Sequence, residues 1–194
     1  RPLMYGEYFN APAVGNDKSS GTYIKKEGKY VESNIRDINV YDDRFKTLFP
    51  RMYDRQPAHI KEYKRWSSFK GKPVRNARNA QGEMKTINKP TFGENLQYFF
   101  TYQLGHMYFR YFMWNFAGRQ NDVQGHGGIL NGNWISGISF IDEARLGNQD
   151  ELTELMKNEE SRNEYYLLPL ILGLMGLVFM ASKSNKDFWS STWG

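Results

Sequence analysis

Between Tyr165 and Ala181 the sequence reads Tyr-Tyr-Leu-Leu-Pro-Leu-Ile-Leu-Gly-Leu-Met-Gly-Leu-Val-Phe-Met-Ala, 17 residues without a charge. A run like this must leave water, either into hydrocarbon or into a protein core. Crossing ~30 Å of hydrocarbon takes about 17–25 apolar residues, so the run sits at the short end of that range. Tyr165 and Tyr166 stand at one end, where an aromatic belt is expected. Lys183 and Lys186 stand at the other, the side that a positive-inside bias makes cytoplasmic. Gly173 and Gly176 suit close helix packing, and Pro169 is tolerable in a first helical turn. Residues 165–182 are therefore expected to form a transmembrane helix. Residues 183–194 then make a cytoplasmic turn, with Phe188 and Trp189 opening a next span. The competing expectation is a buried helix of a compact fold.

With that span, residues 1–164 fall on the extracytoplasmic side. The fold class expected is α+β: an extracytoplasmic segment with short β-hairpins and a long aromatic helix, then a transmembrane α-helix, all part of a polytopic membrane protein. Residues 1–90 read as β-rich. Thr22–Lys25 and Lys29–Glu32 flank Gly28, and Pro73–Arg75 and Met84–Ile87 flank the polar connector Asn76–Gly82, so two hairpins are predicted. Asn16 to Gly21 reads as a turn-rich loop and Ala58–Trp66 as a short helix. At Thr91, the order Thr-Phe-Gly-Glu fits a capping box that starts a helix over 91–117. Aromatics cover so much of this helix that it is expected to be buried or interfacial. Residues 118–164 read as a Gly-rich loop, with six glycines from Gly118 to Gly137, followed by an acidic helix near 150–157. Both ends of the sequence read as cut from a longer chain.

Charge is unevenly placed. Arg44 to Lys89 holds 13 Lys or Arg against Asp54, Glu62 and Glu83, a balance that suits an anionic partner or a solvated face. A membrane segment in the same chain argues against nucleic acid as that partner. The absence of Cys excludes disulfides and thiolate metal sites.

Residues 102–122, Tyr-Gln-Leu-Gly-His-Met-Tyr-Phe-Arg-Tyr-Phe-Met-Trp-Asn-Phe-Ala-Gly-Arg-Gln-Asn-Asp, resemble a family of large bacterial membrane proteins. Gln124 to Gly128, Asn131 to Gly137, Phe140 to Asp142, Phe49 to Met52 and Phe69 to Val74 resemble it too. The family is domain of unknown function 2723, also called glycosyltransferase family 117, similar to protein O-mannosyltransferases. The resemblance implies an inner-membrane protein of a Gram-negative bacterium that transfers sugar from a lipid-linked donor on the extracytoplasmic (periplasmic) side. Membrane lipid, a lipid-phosphate sugar and a protein or glycan acceptor are the partners implied, with no cofactor expected in residues 1–194 beyond the lipid-linked sugar donor, and a divalent metal left open. Its catalytic acid is expected in an early loop upstream of residue 1, so no catalytic residue is carried over.

The local candidates for substrate binding are Arg119, Asn121, Asp122, His126, Asn133 and Trp134. Planar polar groups suit sugar hydroxyls and an aromatic face suits a sugar ring. Arg119 can grip a phosphate bidentately and Asp122 can act as acid or base. The same side chains can instead tie down the Gly-rich loop. Asp142 and Glu143 form a carboxylate pair able to meet a divalent cation, though adjacent acids are commonly just solvated. Two functions remain open: a glycosyltransferase part, or a non-catalytic membrane module whose loop binds a partner protein or glycan.

Overall fold

The structure, a computed structural model, describes residues 4–18, 22–33, 37–78 and 82–183. The expectations at Lys186, Phe188 and Trp189, and the tips of the Asn16–Gly21 loop and the Asn76–Gly82 connector, lie outside those residues. The chain divides into two compact units, Arg1–Tyr102 and Gln103–Gly194.

The first unit is built from antiparallel strand pairs around a mostly aromatic core. β1 (Tyr5–Glu7) pairs with β6 (Lys46–Leu48), and β2 (Ala13–Lys18) pairs with β5 (Asp37–Tyr41). β3 (Thr22–Lys26) and β4 (Lys29–Ser33) form a hairpin closed by Glu27 and Gly28, both at positive φ, the turn that matches strand twist. After helix α1 (Pro57–Ser67), β7 (Lys72–Arg78) pairs with β8 (Met84–Lys89). Pro57 opens α1 where its missing N–H costs nothing. One cluster buries Tyr8, Phe9, Met52, Tyr63 and Tyr98; a second buries Ala11, Phe45 and Ala77. Tyr63 and Tyr98 meet edge-on, with centroids 4.9 Å apart at 87°, the orientation their quadrupoles favour.

Helix α2 (Phe92–Tyr98) starts at the expected capping box: Glu94 N donates to Thr91 Oγ1, and the Glu94 carboxylate accepts from Thr91 N. Glu94 also reaches outside its helix. Its Oε1 accepts from Lys70 N at 2.6 Å and Gly71 N at 2.9 Å, so one side chain anchors both α2 and the entry to β7. Burial pushes the Glu94 carboxyl up, but the Gly71, Thr91 and Lys70 amides and the Thr91 hydroxyl outweigh it and hold it below the usual range. The folded state therefore binds this proton less tightly than the unfolded chain. The stability it contributes is complete above the unfolded value of about 4.3 and is lost as pH falls through the lower folded value. Glu94→Gln is expected to lower the thermal midpoint of this unit at pH 7 and to narrow its gap to the parent below about pH 4. Circular dichroism melts from pH 7 to pH 2.5 measure that difference.

From Phe99 to Phe109 the helix widens to π winding, then continues as α3 (Arg110–Phe116). None of the 99–109 side chains is buried, and Phe100, Tyr108 and Phe109 stand exposed. In the second unit, β9 (Gly118–Arg119) pairs with β10 (Asn163–Glu164) on one side and bridges to Trp134 on the other. A Cβ at Gly118, whose φ is +139°, would strike the carbonyl oxygens of Asn163 and Ile135, so this crossing of three backbones needs glycine. Two short helices follow, α4 (Ser139–Leu146) and α5 (Glu154–Lys157), and then α6 (Leu168–Lys183).

The transmembrane expectation is corrected here. Among the described residues no helix is long and apolar enough to cross a membrane. The uncharged run is divided. Tyr165 N donates to Ala117 O and Tyr166 N to Ser136 O, so its first residues extend the β10 strand pairing. Tyr166 and Leu167 then take φ of +52° and +59°, which no helix allows. Within the described residues α6 holds 16 residues, ~24 Å at 1.5 Å per residue, short of ~30 Å of hydrocarbon. The α+β arrangement with short hairpins stands without a span. α6 is not a core helix either: it has no buried residue, and Leu172 and Val178 are 66% and 70% exposed.

Candidate functional site

The second unit brings together four of the six residues expected to bind substrate, and it uses most of their polar groups internally. Arg119 N donates to Asn163 Oδ1, its Nε donates to Ser161 O at 3.4 Å, and its guanidinium lies 5.8 Å from the Trp114 ring centroid. Asn121 Oδ1 accepts from Gly132 N at 2.9 Å and its Nδ2 donates to Asn131 Oδ1 at 3.1 Å. Asn133 Nδ2 donates to Gly128 O and Gln120 Oε1. One face of the Trp134 ring is covered by the Arg145 guanidinium, 3.5 Å from its centroid. Asp122 and His126 lie on an exposed stretch, with Asp122 N donating to Ser161 Oγ. The buried Gln120 side chain completes the lacing, with Nε2 donating to Ile129 O. The loop is thus an amide-laced scaffold, with Arg110 Nη1 donating to Gly132 O to fasten it to α3.

Asp142 and Glu143 part company. Asp142 is 3% exposed, and its carboxylate accepts from Ser136 N, Ser136 Oγ and Gly137 N at 2.8–3.1 Å. Glu143, one residue on along α4, faces solvent. Arg145 Nη1 approaches Asp142 at 4.0 Å and donates to Trp134 O. Burial pushes the Arg145 guanidinium down, and the Asp142 charge pulls it back up. Among the described residues no group of three or more His, Cys, Asp or Glu could hold a metal ion.

Concave space lies beside this scaffold. A pocket of about 320 Å³ is walled by Gly137, Ser139, Asp142, Gln149, Asp150, Lys157, Arg162 and Glu164. Every one of these except Gly137 carries a side-chain hydrogen-bonding group. Arg162 donates through Nε and Nη2 to Glu164 Oε1, but its buried Nη1 has no partner. Gln149 donates through Nε2 to Gly147 O, while its buried Oε1 has no partner. Both residues line the pocket, and a donor and an acceptor without partners are therefore buried behind its wall. A smaller pocket of about 170 Å³ shares Arg162 and is lined by Gln120, Asn121, Asn131, Leu155 and Met156. Sequence reasoning reached Asn121 but missed Gln149 and Arg162. The one available signal for Arg162 was a lone guanidinium after Glu159 and Glu160, which the Gly-rich loop overshadowed.

The chain therefore joins an aromatic-cored hairpin unit to an amide-laced loop unit with a polar pocket. A family model described as a family of unknown function (DUF8416) matches residues 1–100, and the chain belongs to that family. The match covers almost the whole of the first unit, Arg1–Tyr102. No curated protein and no solved structure matches. The membrane part of the expectation is corrected with the span, since among the described residues no helix is long and apolar enough to cross a membrane; the matching family carries no stated activity.

Proposed function

We propose that this protein is a non-catalytic binding module whose loop unit takes a polyhydroxylated ligand, a glycan, in the pocket between α4 and β10. The observation that carries the reading is the wall holding Gln149 Oε1 and Arg162 Nη1. An acceptor and a donor, both buried and unused, match a hydroxyl group, which both gives and receives a hydrogen bond. Leaving such groups unpaired costs free energy that a ligand recovers on binding. Ser139, Asp150 and Lys157 at the rim add further polar contacts, and at about 320 Å³ the space sits at the small end of ligand sites. Two cations, Lys157 and Arg162, stand against three carboxylates, Asp142, Asp150 and Glu164, a balance that disfavours an anionic ligand.

A glycan array followed by saturation-transfer NMR on the full chain tests this. Gln149→Leu is expected to weaken binding about tenfold, the worth of one well-placed hydrogen bond, while the melt stays within a few degrees. Absence of any carbohydrate binding by the parent chain, or equal binding by Gln149→Leu, overturns the reading.

A further inference from the structure

The first unit carries a second pocket of different chemistry. A cleft of about 240 Å³ is lined by Lys46, Lys72 and Lys89 together with Tyr8, Thr47 and Thr91, and by no carboxylate. Tyr8 is 1% exposed, and its hydroxyl is buried with no hydrogen-bond partner. It approaches the Thr47 hydroxyl, itself on the cleft wall, without reaching hydrogen-bond geometry. A buried phenol without a partner, in the wall of a cleft that three lysines also line, is costly unless something accepts its proton.

We propose that this cleft binds the phosphate group of a small phosphorylated ligand, with Lys72 and Lys89 supplying charge and the Tyr8 hydroxyl donating a hydrogen bond to a phosphate oxygen. The three lysines are not equivalent. Lys89 lines the cleft, and its Nζ donates to Arg44 O at 2.7 Å. Lys46 shares its charge with the exposed Asp43, at 2.5 Å. Lys72 is exposed and, among the described residues, makes no hydrogen bond or ion pair, so its ammonium is available at low cost. Glu94, the nearest acid to be weighed, already has its carboxylate saturated by four donors and is turned to Lys70, Gly71 and Thr91. Burial pushes the Tyr8 phenol up, which keeps it protonated and able to donate. A tetrahedral dianion uses all of these groups at once, and a cleft of this size has room beyond the phosphate for the remainder of a small ester.

The experiment is calorimetric titration of the full chain with inorganic phosphate, with glycerol phosphate and with glycerol, at constant ionic strength set by chloride. Both phosphates are expected to bind and glycerol not to. Tighter binding of the ester identifies a phosphorylated small molecule as the ligand; tighter binding of the free ion identifies phosphate itself. Lys72→Gln, a change at an exposed side chain, and Tyr8→Phe, which keeps the ring in the core, are each expected to weaken binding about tenfold with circular dichroism unchanged. The proposal is overturned if the parent chain binds neither phosphate. It is equally overturned if either variant binds as tightly as the parent, because the built site then reduces to surface lysines.

Discussion

Asp142→Ala is expected to cost the second unit about 3–5 kcal/mol and to lower the midpoint of its thermal transition by roughly 10–20 °C. The carboxylate is the sole acceptor found for three buried or half-buried donors, Ser136 N, Ser136 Oγ and Gly137 N. Each donor left without a partner costs about 1–3 kcal/mol. The damage spreads along the chain. Ser136 O accepts from Tyr166 N, and Ile135 N donates to Gly118 O, so slack at Ser136–Gly137 loosens the β9 crossing. Arg145 also loses the one carboxylate near it while its guanidinium stays over Trp134. Glu143→Ala is the control: that side chain is exposed, and its loss is expected to change stability by no more than about 0.5 kcal/mol. Melts of both variants, followed by near-ultraviolet circular dichroism at Trp134, measure the difference. Equal and small effects would show that the Asp142 hydrogen bonds do not hold the loop.

Local chemistry was legible in the sequence; long-range pairing was not. The Thr91 capping box depends on four consecutive residues, and the β3–β4 hairpin depends on alternation around Gly28, so both stand where the pattern places them. The pairing of β2 with β5 joins Lys18 to Asp37 around the β3–β4 hairpin, and the Asn16–Lys18 end of β2 reads as part of a turn-rich loop rather than a strand. The span was misjudged for a related reason. Hydropathy counts Tyr165, Tyr166 and Leu167 with the run that follows, yet the carbonyls of Ala117 and Ser136 capture the first two backbones and fix them outside the helix. Those partners lie 48 and 30 residues earlier (165 − 117 and 166 − 136), beyond any window. In the candidate site, the amides of Asn121 and Asn133 were visible as polar groups in a Gly-rich loop. Whether they face a ligand or lace the loop depends on where Gly132 and Gly128 return, which only the fold decides. Gln149 and Arg162 line one pocket from 13 residues apart (162 − 149), with α5 between them, and neither carries a recognisable motif alone.

Asn95→Ala is expected to destabilise the first unit by about 2–4 kcal/mol, the sum of one orphaned amide and one orphaned carbonyl. Asn95 is fully buried in α2, a poor interior position for an Asn by propensity, and it is placed there for its two ends. Oδ1 accepts from Arg51 N at 2.8 Å and Nδ2 donates to Phe49 O at 2.8 Å. These bonds clamp the Phe49–Arg51 turn, in which Phe49 sits at φ +53°, a conformation costly for a non-glycine residue. The turn in turn sets Met52, fully buried in the main cluster, and its carbonyl accepts from Phe9 N. Loss of the clamp therefore reaches the aromatic core as well as the surface. The Arg51 guanidinium over the Phe49 ring at 3.9 Å is not expected to compensate, since such a contact is worth about 0.5–1 kcal/mol at exposed sites. Asn95→Asp separates the two halves of the clamp: the acceptor for Arg51 N survives, while an anion faces Phe49 O. It is expected to cost at least as much as Asn95→Ala at pH 7 and to recover as the introduced carboxyl protonates at low pH, because the protonated group can donate again. Urea melts of the two variants at pH 7 and near pH 4 decide it. An Asn95→Asp variant whose stability relative to Asn95→Ala does not change with pH would rule out the donor half of the clamp.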